Sequence, residues 1–284
     1  MFQSDLLKGR TIFITGGGTG LGKSMALRFS ELGANVFLMG RREERLAETV
    51  KEIAAVHGGG RGAYFAGDVR DFAAVENAVS AAFRAFGNVD TLVNNAAGNF
   101  LARTEKLSPN AFQAVVGIVL QGTFHCTLAL GRRWIEAKQP GNVLNIVTTY
   151  AAANSGSGFV VPSSCAKAGV LAMTRSLAVE WARHRIRLNA IAPGPFPTEG
   201  AFSRLLPSPE LERQAREQHP MKRFGRHEEL ANLAVYLLSD AAEYVNGECV
   251  VIDGGLWLRG AGEFNDFVDL PTEAWEMLEQ ARRK

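Results

Sequence analysis

A glycine-rich segment, Thr15–Gly22, constrains the fold of this chain more than any other feature. It follows an apolar run, Thr11–Thr15, that is typical of a buried strand, and it leads into an amphipathic run, Leu21–Leu32, that is typical of a helix. Glycines at such a turn let the backbone approach a pyrophosphate, which then lies against the free N–H groups of the helix N-terminus. The strand–turn–helix context therefore favours a nucleotide-binding loop over a plain surface loop.

The rest of the chain alternates in the same way between strand-like and helix-like runs. The strand-like runs show almost no polar alternation, which predicts a parallel sheet covered by helices on both faces. A chain of 284 residues fits one such domain, so the sequence predicts a single-domain α/β fold over residues 1–284, a Rossmann-type doubly wound sheet. The predicted strands are Thr11–Thr15, Asn35–Met39, Ala63–Asp68, Thr91–Asn94, Asn142–Thr148, Arg187–Ala192 and Cys249–Asp253. The predicted helices are Leu21–Leu32, Glu43–His57, Ala73–Phe86, Asn110–Ala137 and Ala166–Ala182.

Composition argues against several classes of function. The formal net charge of +2, without a basic cluster, argues against nucleic-acid binding. The apolar runs are the length of strands, so no membrane span is expected. The three cysteines lack metal-ligand spacing, and no metal site is predicted. Neither end resembles a targeting segment, so a cytoplasmic protein is expected.

Two segments depart from the strand–helix alternation. The irregular stretch Pro193–Pro220 follows a strand end, where open α/β sheets bind ligands, and is interpreted as a substrate lid; a plain surface connection is the alternative. A C-terminal extension covers residues 256–284. Its last part, Pro271–Lys284, has the pattern of an amphipathic helix that packs either on the fold or on a neighbouring subunit.

The end of the second predicted strand indicates which dinucleotide the loop would bind. It reads Leu38-Met39-Gly40-Arg41-Arg42 and lacks the acidic residue that would hold a ribose 2′-hydroxyl. Arginines at this position suit the 2′-phosphate of NADP instead. The alternative is a solvated helix start, which fits Arg42 better than Arg41. The sequence thus predicts NADPH as the cofactor.

Four motifs, in the right order, resemble those of the short-chain dehydrogenase/reductase family. They are the Thr-Gly-x-x-x-Gly-x-Gly loop, Asp68-Val69, Asn94-Asn95-Ala96-Ala97-Gly98 and Pro193-Gly194, and the resemblance extends from about Lys8 to Gly255. The cofactor-binding residues that it implies are Gly16, Gly17, Gly18, Thr19, Gly20, Leu21, Arg41, Asp68, Lys167, Pro193, Gly194, Pro195 and Phe196.

The chain departs from that family where the catalytic residues are expected. Most members carry Tyr-x-x-x-Lys; here Lys167 is present, but Ser163 takes the place of the tyrosine. A serine hydroxyl is too weak an acid to replace a phenol near neutral pH. The family's serine position falls on Val147 or Thr148, and its helix asparagine is missing from Val119–Gly122. Either the chain binds NADP without catalysis, or it uses different acid chemistry.

Two other residues favour different acid chemistry. Asn99 and Tyr150 follow neighbouring predicted strands, so an amide and a phenol could converge on one developing oxyanion. Taken singly, Asn99 could be a turn residue and Tyr150 a lid anchor. Together, and beside Lys167, they are better explained as a catalytic set.

The extended motifs resemble more closely the 2,4-dienoyl-CoA reductases of the mitochondrial type. Those motifs are Asn94–Phe100, Gly156–Ser163, Pro193–Pro195, Gly200–Leu205 and Gly262–Asp266. The resemblance implies that Asn99 and Tyr150 hold the thioester oxygen of an acyl-CoA substrate, that Lys167 binds the cofactor and that Ser163 supports them. One departure is Ala151–Ser155, which makes the loop after Tyr150 about two residues longer than the family pattern.

The same resemblance implies an acyl-CoA site, a homotetramer and a place in unsaturated fatty-acid β-oxidation. For each arginine of that site, a plain surface charge is the alternative. The candidate substrate-binding residues are Arg41, Arg70, Phe100, Ser108 and Arg204.

The chemistry expected for this family follows from conjugation in the substrate. Hydride transfer to the δ-carbon of a 2,4-dienoyl thioester moves negative charge to the thioester oxygen, and protonation at the α-carbon gives a 3-enoyl-CoA. Because the oxyanion is stabilised by hydrogen bonds, no strong acid is needed at position 163. Two alternatives stay open: another NADPH-dependent reductase of ketones or enoyl thioesters, and a non-catalytic NADP-binding protein.

Overall fold

The computed structural model describes residues 2–56, 59–151, 156–198 and 208–282. The strands are β1 (Thr11–Thr15), β2 (Asn35–Gly40), β3 (Gly62–Ala66), β4 (Thr91–Asn94), β5 (Gly141–Ile146), β6 (Ile186–Pro193) and β7 (Cys249–Ile252). They form one parallel sheet in the order β3-β2-β1-β4-β5-β6-β7. The order reverses between β1 and β4, as in a doubly wound sheet. The predicted Rossmann-type fold is confirmed.

Helices cover both faces of this sheet. Within the described ranges they are α1 (Gly20–Glu31), α2 (Glu43–Ala54), α3 (Phe72–Phe86), α4 (Pro109–Val116), α5 (Gly122–Glu136), α6 (Val161–Glu180), α7 (Pro209–Gln218), α8 (His227–Leu238), α9 (Leu256–Arg259) and α10 (Thr272–Arg282). One core joins α1, α2 and α8 to the sheet, and a second core joins α3 and α5 to its other face. Helices α4 and α6 share a smaller cluster beside the second core.

Strand β1 shows why the strands carry apolar residues at every position. Ile12 and Ile14 belong to the core beneath α1, whereas Phe13 belongs to the opposite core and stacks on Phe37 at a ring-centroid distance of 5.3 Å. Alternate side chains of a strand point to opposite faces, and here both faces are covered. Each fully buried side chain of this size contributes about 1.5–3 kcal/mol, so β1 is a strongly stabilised centre of the sheet.

Two predicted strands end two residues earlier than the sequence pattern indicates. Strand β3 ends at Ala66 because Asp68 turns back to accept hydrogen bonds from the backbone N–H of Arg70 at 3.0 Å and from its guanidinium at 2.6 Å. Strand β5 ends at Ile146, before Thr148, and the chain then enters a short 3-10 turn. Asp68 and Tyr150 are therefore placed by turns rather than by strands.

The long helix predicted at Asn110–Ala137 is interrupted by a π-helical turn, Gly117–Gln121. This turn separates α4 from α5 and lies against the segment after β3. A Cβ atom on Gly122 would lie 2.5 Å from the Val69 side chain, so glycine permits the close approach. Sequence periodicity alone does not reveal the extra residue in the turn.

Two further boundaries differ from expectation. Helix α6 begins at Val161 rather than Ala166, because Pro162 fits the first helical turn without disrupting it. Of the predicted lid, Pro193–Pro220, the first residue closes β6 and the stretch Pro209–Gln218 forms α7. Residues 199–207 lie outside the described part of the chain.

The C-terminal extension folds back onto the domain. It contains α9, a 3-10 turn at Asn265–Asp269 and α10, which corresponds to the predicted amphipathic helix. Asp269 forms an ion pair with Lys222 at 2.8 Å and a second ion pair with Arg259. The extension is therefore tied to the domain as far as Asp269, whereas α10 has no buried residue.

One helical stretch, Pro109–Glu136, is long and apolar enough to cross a membrane by length and composition. Of its most apolar window, 56% is buried within the fold, and the core helix of a soluble protein passes the same test. The absence of a membrane span stays a prediction.

Candidate active site

A groove of about 320 Å³ lies at the carboxyl ends of β1, β2 and β4. Its lining includes five of the loop residues predicted to bind the cofactor, together with Arg41 and Asp68. The lining residues are Gly16, Gly18, Thr19, Gly20, Leu21, Gly40, Arg41, Arg42, Arg45, Gly67, Asp68, Val69, Asn95, Ala96, Ala97, Ile118 and Thr198. The predicted Gly17 lies outside this lining; a Cβ atom there would lie 2.5 Å from the Leu38 side chain, so this glycine permits packing on β2.

The shape of the loop depends on two glycines. Gly16 adopts a φ of +68°, in the left-handed region that favours glycine. A Cβ atom on Gly22 would lie 2.5 Å from the Asn95 amide nitrogen and closer still to the carbonyl oxygen of Gly16. The first turn of α1 can therefore approach the loop only because position 22 has no side chain.

The segment after β4 supports the loop from the side. Thr15 Oγ1 accepts hydrogen bonds at 3.0 Å from the backbone N–H groups of Asn95 and Ala96. In return, Asn95 Nδ2 donates to the carbonyl oxygens of Thr15 at 3.0 Å and Gly16 at 3.2 Å. Two motifs that lie about eighty residues apart thus form one hydrogen-bonded unit at the base of the groove.

Three arginines surround the end of the groove beyond β2. Arg42 donates to Thr19 Oγ1 at 3.3 Å, and Arg45 pairs with Glu48 at 3.1 Å. Arg41 has no ion-pair partner among the residues that the structure describes, so its guanidinium is available to a ligand. Sequence reasoning singled out Arg41 and missed Arg45, which lies one turn into α2.

Asp68 and Arg70 form a pair at the rim of the groove. Hydrogen bonds from Arg70 hold the pKa of the Asp68 carboxyl below its usual value. Arg70 was predicted to contact substrate, and the structure engages its guanidinium with Asp68 at 2.6 Å instead. A substrate role for Arg70 would require it to leave, or share, this carboxylate.

The lining of the groove does not include the predicted residues Pro193, Gly194, Pro195 and Phe196. Pro193 is the last residue of β6, and Gly194 donates its N–H to the Ile252 carbonyl oxygen at 2.9 Å. Pro195 and Phe196 line a separate cavity of about 200 Å³, because the Phe196 ring is buried in the core beneath α8. The groove is lined instead by Thr198, two residues further along, which sequence reasoning missed.

A histidine connects the segment just before Thr198 to helix α1. His227 Nδ1 lies 2.7 Å from Ser24 Oγ, and its Nε2 lies 2.5 Å from the Pro197 carbonyl oxygen. His227 therefore connects the helix after the glycine loop to the residue before Thr198. Nothing in the sequence pattern pointed to this contact, because the three residues are far apart in the chain.

The candidate catalytic side chains converge on the Tyr150 hydroxyl. Asn99 Nδ2 lies 3.3 Å from Tyr150 Oη, and Ser163 Oγ lies 3.1 Å from the same atom. Asn99 follows β4, Tyr150 belongs to the turn after β5, and Ser163 lies in the first turn of α6. The expected convergence of the amide and the phenol is thus present, with the serine hydroxyl on the third side.

The orientation of the Asn99 amide is set by its neighbour. Asn99 Oδ1 accepts a hydrogen bond from the backbone N–H of Phe100 at 2.9 Å, which directs the amide nitrogen towards Tyr150. Such an arrangement presents N–H and O–H donors side by side. A developing oxyanion beside them would find two donors already in place.

Lys167 lies one turn after Ser163 on the same side of α6. Its ammonium is buried and donates to the carbonyl oxygen of Ile146, the last residue of β5. Burial lowers the pKa of the Lys167 ammonium to about 8, because the interior disfavours the charged form. Among the described residues, Lys167 makes no direct hydrogen bond to Tyr150.

A second cavity, of about 750 Å³, opens beside Tyr150. One wall comes from the region after β5 and the other from the C-terminal extension, which sequence reasoning left without a role. The lining residues are Thr149, Tyr150, Gly156, Ser157, Leu256, Trp257, Gly260 and Ala261. An aromatic residue shortly after a strand's carboxyl end was the available signal for Trp257.

The other predicted substrate-binding residues lie in different environments, or outside the described part of the chain. Phe100 is exposed next to Asn99. Ser108 caps the N-terminus of α4, where its Oγ accepts from the Ala111 N–H at 3.1 Å, so the hydroxyl already has a structural partner. Arg204 and the Gly200–Leu205 motif lie outside the described residues, as do residues 152–155 of the longer loop.

Comparisons with known proteins show which proteins this chain resembles. A family model described as enoyl-(acyl carrier protein) reductase matches residues 16–257. A Bacillus subtilis protein, a probable (2E)-enoyl-CoA-producing 2,4-dienoyl-CoA reductase, is 48% identical over 251 residues, covering 88% of this chain and 97% of that relative. An Arabidopsis thaliana peroxisomal 2,4-dienoyl-CoA reductase, named as (3E)-enoyl-CoA-producing, is 38% identical over 295 residues, an alignment that covers 100% of this chain and 94% of that relative.

A solved structure shows the same likeness. A short chain dehydrogenase from Bacillus anthracis superposes with a TM-score of 0.79 at 43% identity, over 88% of this chain and 97% of that one. The resemblance predicted from the four motifs is confirmed.

Proposed function

The chain belongs to the short-chain dehydrogenase/reductase family, and within it we propose that this oxidoreductase reduces 2,4-dienoyl-CoA thioesters with NADPH. One observation carries the proposal. The side chains of Tyr150, Asn99 and Ser163 share one hydrogen-bonded centre, and Ser163 itself occupies the position four residues before Lys167 where most of the family has its catalytic tyrosine. The usual acid of carbonyl reduction is thus replaced by a pair of oxyanion donors. The names of the B. subtilis and A. thaliana relatives support the same substrate class.

Tyr150 and Asn99 would bind the thioester oxygen. When the Tyr150 hydroxyl donates to that oxygen, its own oxygen can accept from Asn99 and from Ser163, which makes its O–H a better donor. The second N–H of the Asn99 amide can donate to the same oxygen. Each preorganised donor of this kind is worth about 3–4 kcal/mol in the transition state.

A bound dinucleotide would supply the hydride, and the new C–H bond would form at the δ-carbon of the diene. The electron pair that is displaced moves through the conjugated system to the thioester oxygen, where Tyr150 and Asn99 hold it. A proton from water then bonds to the α-carbon, and the product is a 3-enoyl-CoA. The relatives' names include both 2E and 3E products, so the position of the remaining double bond is a sharp test.

Lys167 would hold the cofactor near the end of β5. Its ammonium has one donor engaged with Ile146, and two N–H groups remain for hydroxyl groups of the nicotinamide ribose. Arg41, with Arg42 beside it, would bind the 2′-phosphate that distinguishes NADPH from NADH. This preference rests on the unpaired guanidinium of Arg41 and the absence of a carboxylate at the end of β2.

We also propose that the enzyme works as a homo-oligomer in the oxidation of unsaturated fatty acids. Support for the homo-oligomer comes from the family resemblance, and support for the pathway comes from the dienoyl-CoA substrates in the relatives' names. Light scattering on the purified protein would determine the oligomeric state, for which a tetramer is expected. A cytoplasmic location stays a prediction, and the A. thaliana relative is named as peroxisomal.

One assay tests the reaction. NADPH absorbance is followed with a 2,4-dienoyl-CoA, with a 3-ketoacyl-CoA and without substrate, and the product is analysed by NMR. Consumption with the dienoyl-CoA alone supports the proposal, consumption with the 3-ketoacyl-CoA supports a ketone reductase, and no consumption supports a non-catalytic NADP-binding protein.

The residue assignment is tested by the double variant Tyr150→Phe, Asn99→Ala. We expect kcat to fall by at least about a thousandfold, since both oxyanion donors are lost. Tyr236→Phe on the exposed side of α8 is the matched control and should retain normal kcat. Near-normal turnover by the double variant would contradict the proposed mechanism.

A further inference from the structure

The wall of the cavity opposite Tyr150 lies where the match to the family model ends: Leu256 and Trp257 are its last matched residues, and Gly260 and Ala261 lie beyond it. The match ends at residue 257, and the described chain continues to residue 282. Leu256, Trp257 and Ala261 provide apolar surface at this wall. A wall of this composition suits the hydrocarbon part of a thioester rather than its charged CoA part.

Trp257 is fixed in place at its backbone. The Asp253 carboxylate accepts hydrogen bonds from the N–H groups of Gly255 at 2.9 Å and Trp257 at 2.8 Å. Gly254 and Gly255 both have positive φ, which produces the sharp turn between β7 and α9. The Trp257 ring is therefore presented from a rigid turn directly after the edge strand β7.

A charged brace holds the residues that follow. Arg259 donates to the Gln218 carbonyl oxygen at 2.7 Å, at the C-terminal end of α7, and also pairs with Asp269. Lys222 donates to the Glu217 carbonyl oxygen and to Asp269, both at 2.8 Å. Asp269 thus pairs with two basic side chains, each of which also donates to a backbone carbonyl oxygen in the last turn of α7. In the same segment, the Asn265 amide donates to the Leu258 carbonyl oxygen at 2.6 Å.

We propose that Trp257 determines the preference for acyl-chain length, and that the brace of Asp269, Arg259 and Lys222 positions this residue. The inference rests on the proposed dienoyl-CoA activity. With the thioester oxygen at Tyr150, the distal methylene groups of the acyl chain lie along the Trp257 wall. Each methylene that is removed from water there contributes about fourfold to kcat/KM.

The first test compares two substrates, 2,4-hexadienoyl-CoA and 2,4-decadienoyl-CoA. We expect Trp257→Ala to lower the decadienoyl-to-hexadienoyl ratio of kcat/KM by at least tenfold, mainly through KM of the longer substrate. Trp257→Phe, which conserves an aromatic ring and guards against misfolding, should give an intermediate ratio. Leu258→Ala is the control, since Leu258 is adjacent in α9 and 72% exposed. An unchanged ratio in both Trp257 variants would overturn the inference.

The second test concerns the brace. Asp269→Asn should lower the same ratio about threefold while leaving kcat for hexadienoyl-CoA and the Kd of NADPH unchanged, and Asp269→Glu should restore it. Glu210→Gln, which breaks an exposed ion pair with Arg213 on α7, is the matched control. Equal effects on both substrates would show that Asp269 has a general structural role and would contradict the positioning role.

A binding readout separates this inference from the proposed reaction. Decanoyl-CoA, which has no diene to reduce, is titrated into the protein and followed by calorimetry. We expect Trp257→Ala to weaken its binding at least tenfold relative to hexanoyl-CoA. If no dienoyl-CoA is reduced but this difference in binding is observed, the proposed reaction is contradicted and the role of Trp257 is supported. If reduction occurs without any difference in binding, the role of Trp257 is contradicted and the proposed reaction is supported.

Discussion

The cofactor groove and the substrate cavity are built in contrasting ways. The groove takes its central part from one short loop, Gly16 and Gly18–Leu21, which presents backbone N–H groups and, at its glycines, no side chains. The cavity takes one wall from Thr149, Tyr150, Gly156 and Ser157 and the other from residues about a hundred positions later, and it presents the side chains of Tyr150 and Trp257. A site made from backbone is visible in a local motif, whereas a site made by distant side chains becomes visible only after folding. The two parts should therefore respond differently to substitution.

The largest effect is expected where backbone packing is tightest. Gly22→Ala would place a methyl group against the Gly16 carbonyl and the Asn95 amide, so the loop must shift. We expect loss of measurable NADPH binding by fluorescence titration and a decrease of about 1–3 kcal/mol in the free energy of unfolding. Gly158→Ala is the control, because no heavy atom lies within 4 Å of the added methyl group. Retention of NADPH binding in Gly22→Ala would show that the loop adapts.

The next effect concerns Lys167, which stands between the two regions. Its pKa lies near 8 in the folded protein and near 10.5 in the unfolded chain, so between these pH values the unfolded state binds more protons. The free energy of unfolding of the apoprotein should rise over this window by on the order of 3 kcal/mol. The Lys167→Met variant should lack this rise, whereas the exposed control Lys51→Met should keep it. If denaturant titrations of wild type and Lys167→Met give parallel pH profiles, the lowered pKa of Lys167 is contradicted.

A smaller effect is expected from Arg41, the side chain in the groove that is proposed to select NADPH over NADH. Arg41→Ser should raise the Kd of NADPH about tenfold or more and leave that of NADH unchanged, because only NADPH has the 2′-phosphate. Arg84→Ser, at the exposed end of α3, is the control. Fluorescence titration with both dinucleotides gives the answer. Equal changes for NADPH and NADH would assign Arg41 to the pyrophosphate or to general charge.

The smallest effect is expected at the connection between the glycine-loop helix and the residue before Thr198. His227→Ala removes contacts to Ser24 and to the Pro197 carbonyl. We expect the Kd of NADPH to rise about threefold to tenfold, since a neutral hydrogen bond contributes about 1 kcal/mol. His184→Ala, away from the groove, should have no effect. A rise confined to KM of the dienoyl-CoA would instead place His227 in the substrate region.

This contrast also explains how much could be predicted from the sequence. The sheet, its helices and the loop Thr15–Gly22 follow from local patterns, and Asn99 with Tyr150 followed from the rule that parallel strands end at one edge. The structure was needed to place Thr198 and Arg45 at the groove and Trp257 at the cavity, because these positions depend on how distant segments pack. The same limit applies to Phe196: a motif predicts that it binds the cofactor, which stays a prediction, and only the structure shows that its ring packs in the core.

The position of the Trp257 wall has a consequence for how such a gene can change. Every strand of the sheet and every residue of the Tyr150 centre lies before residue 256. Under the role proposed for Trp257, substitutions at this wall would alter the hydrocarbon that the enzyme accepts without replacing any residue of the reaction centre. Substrate range can thus diverge between gene copies while the chemistry is inherited intact.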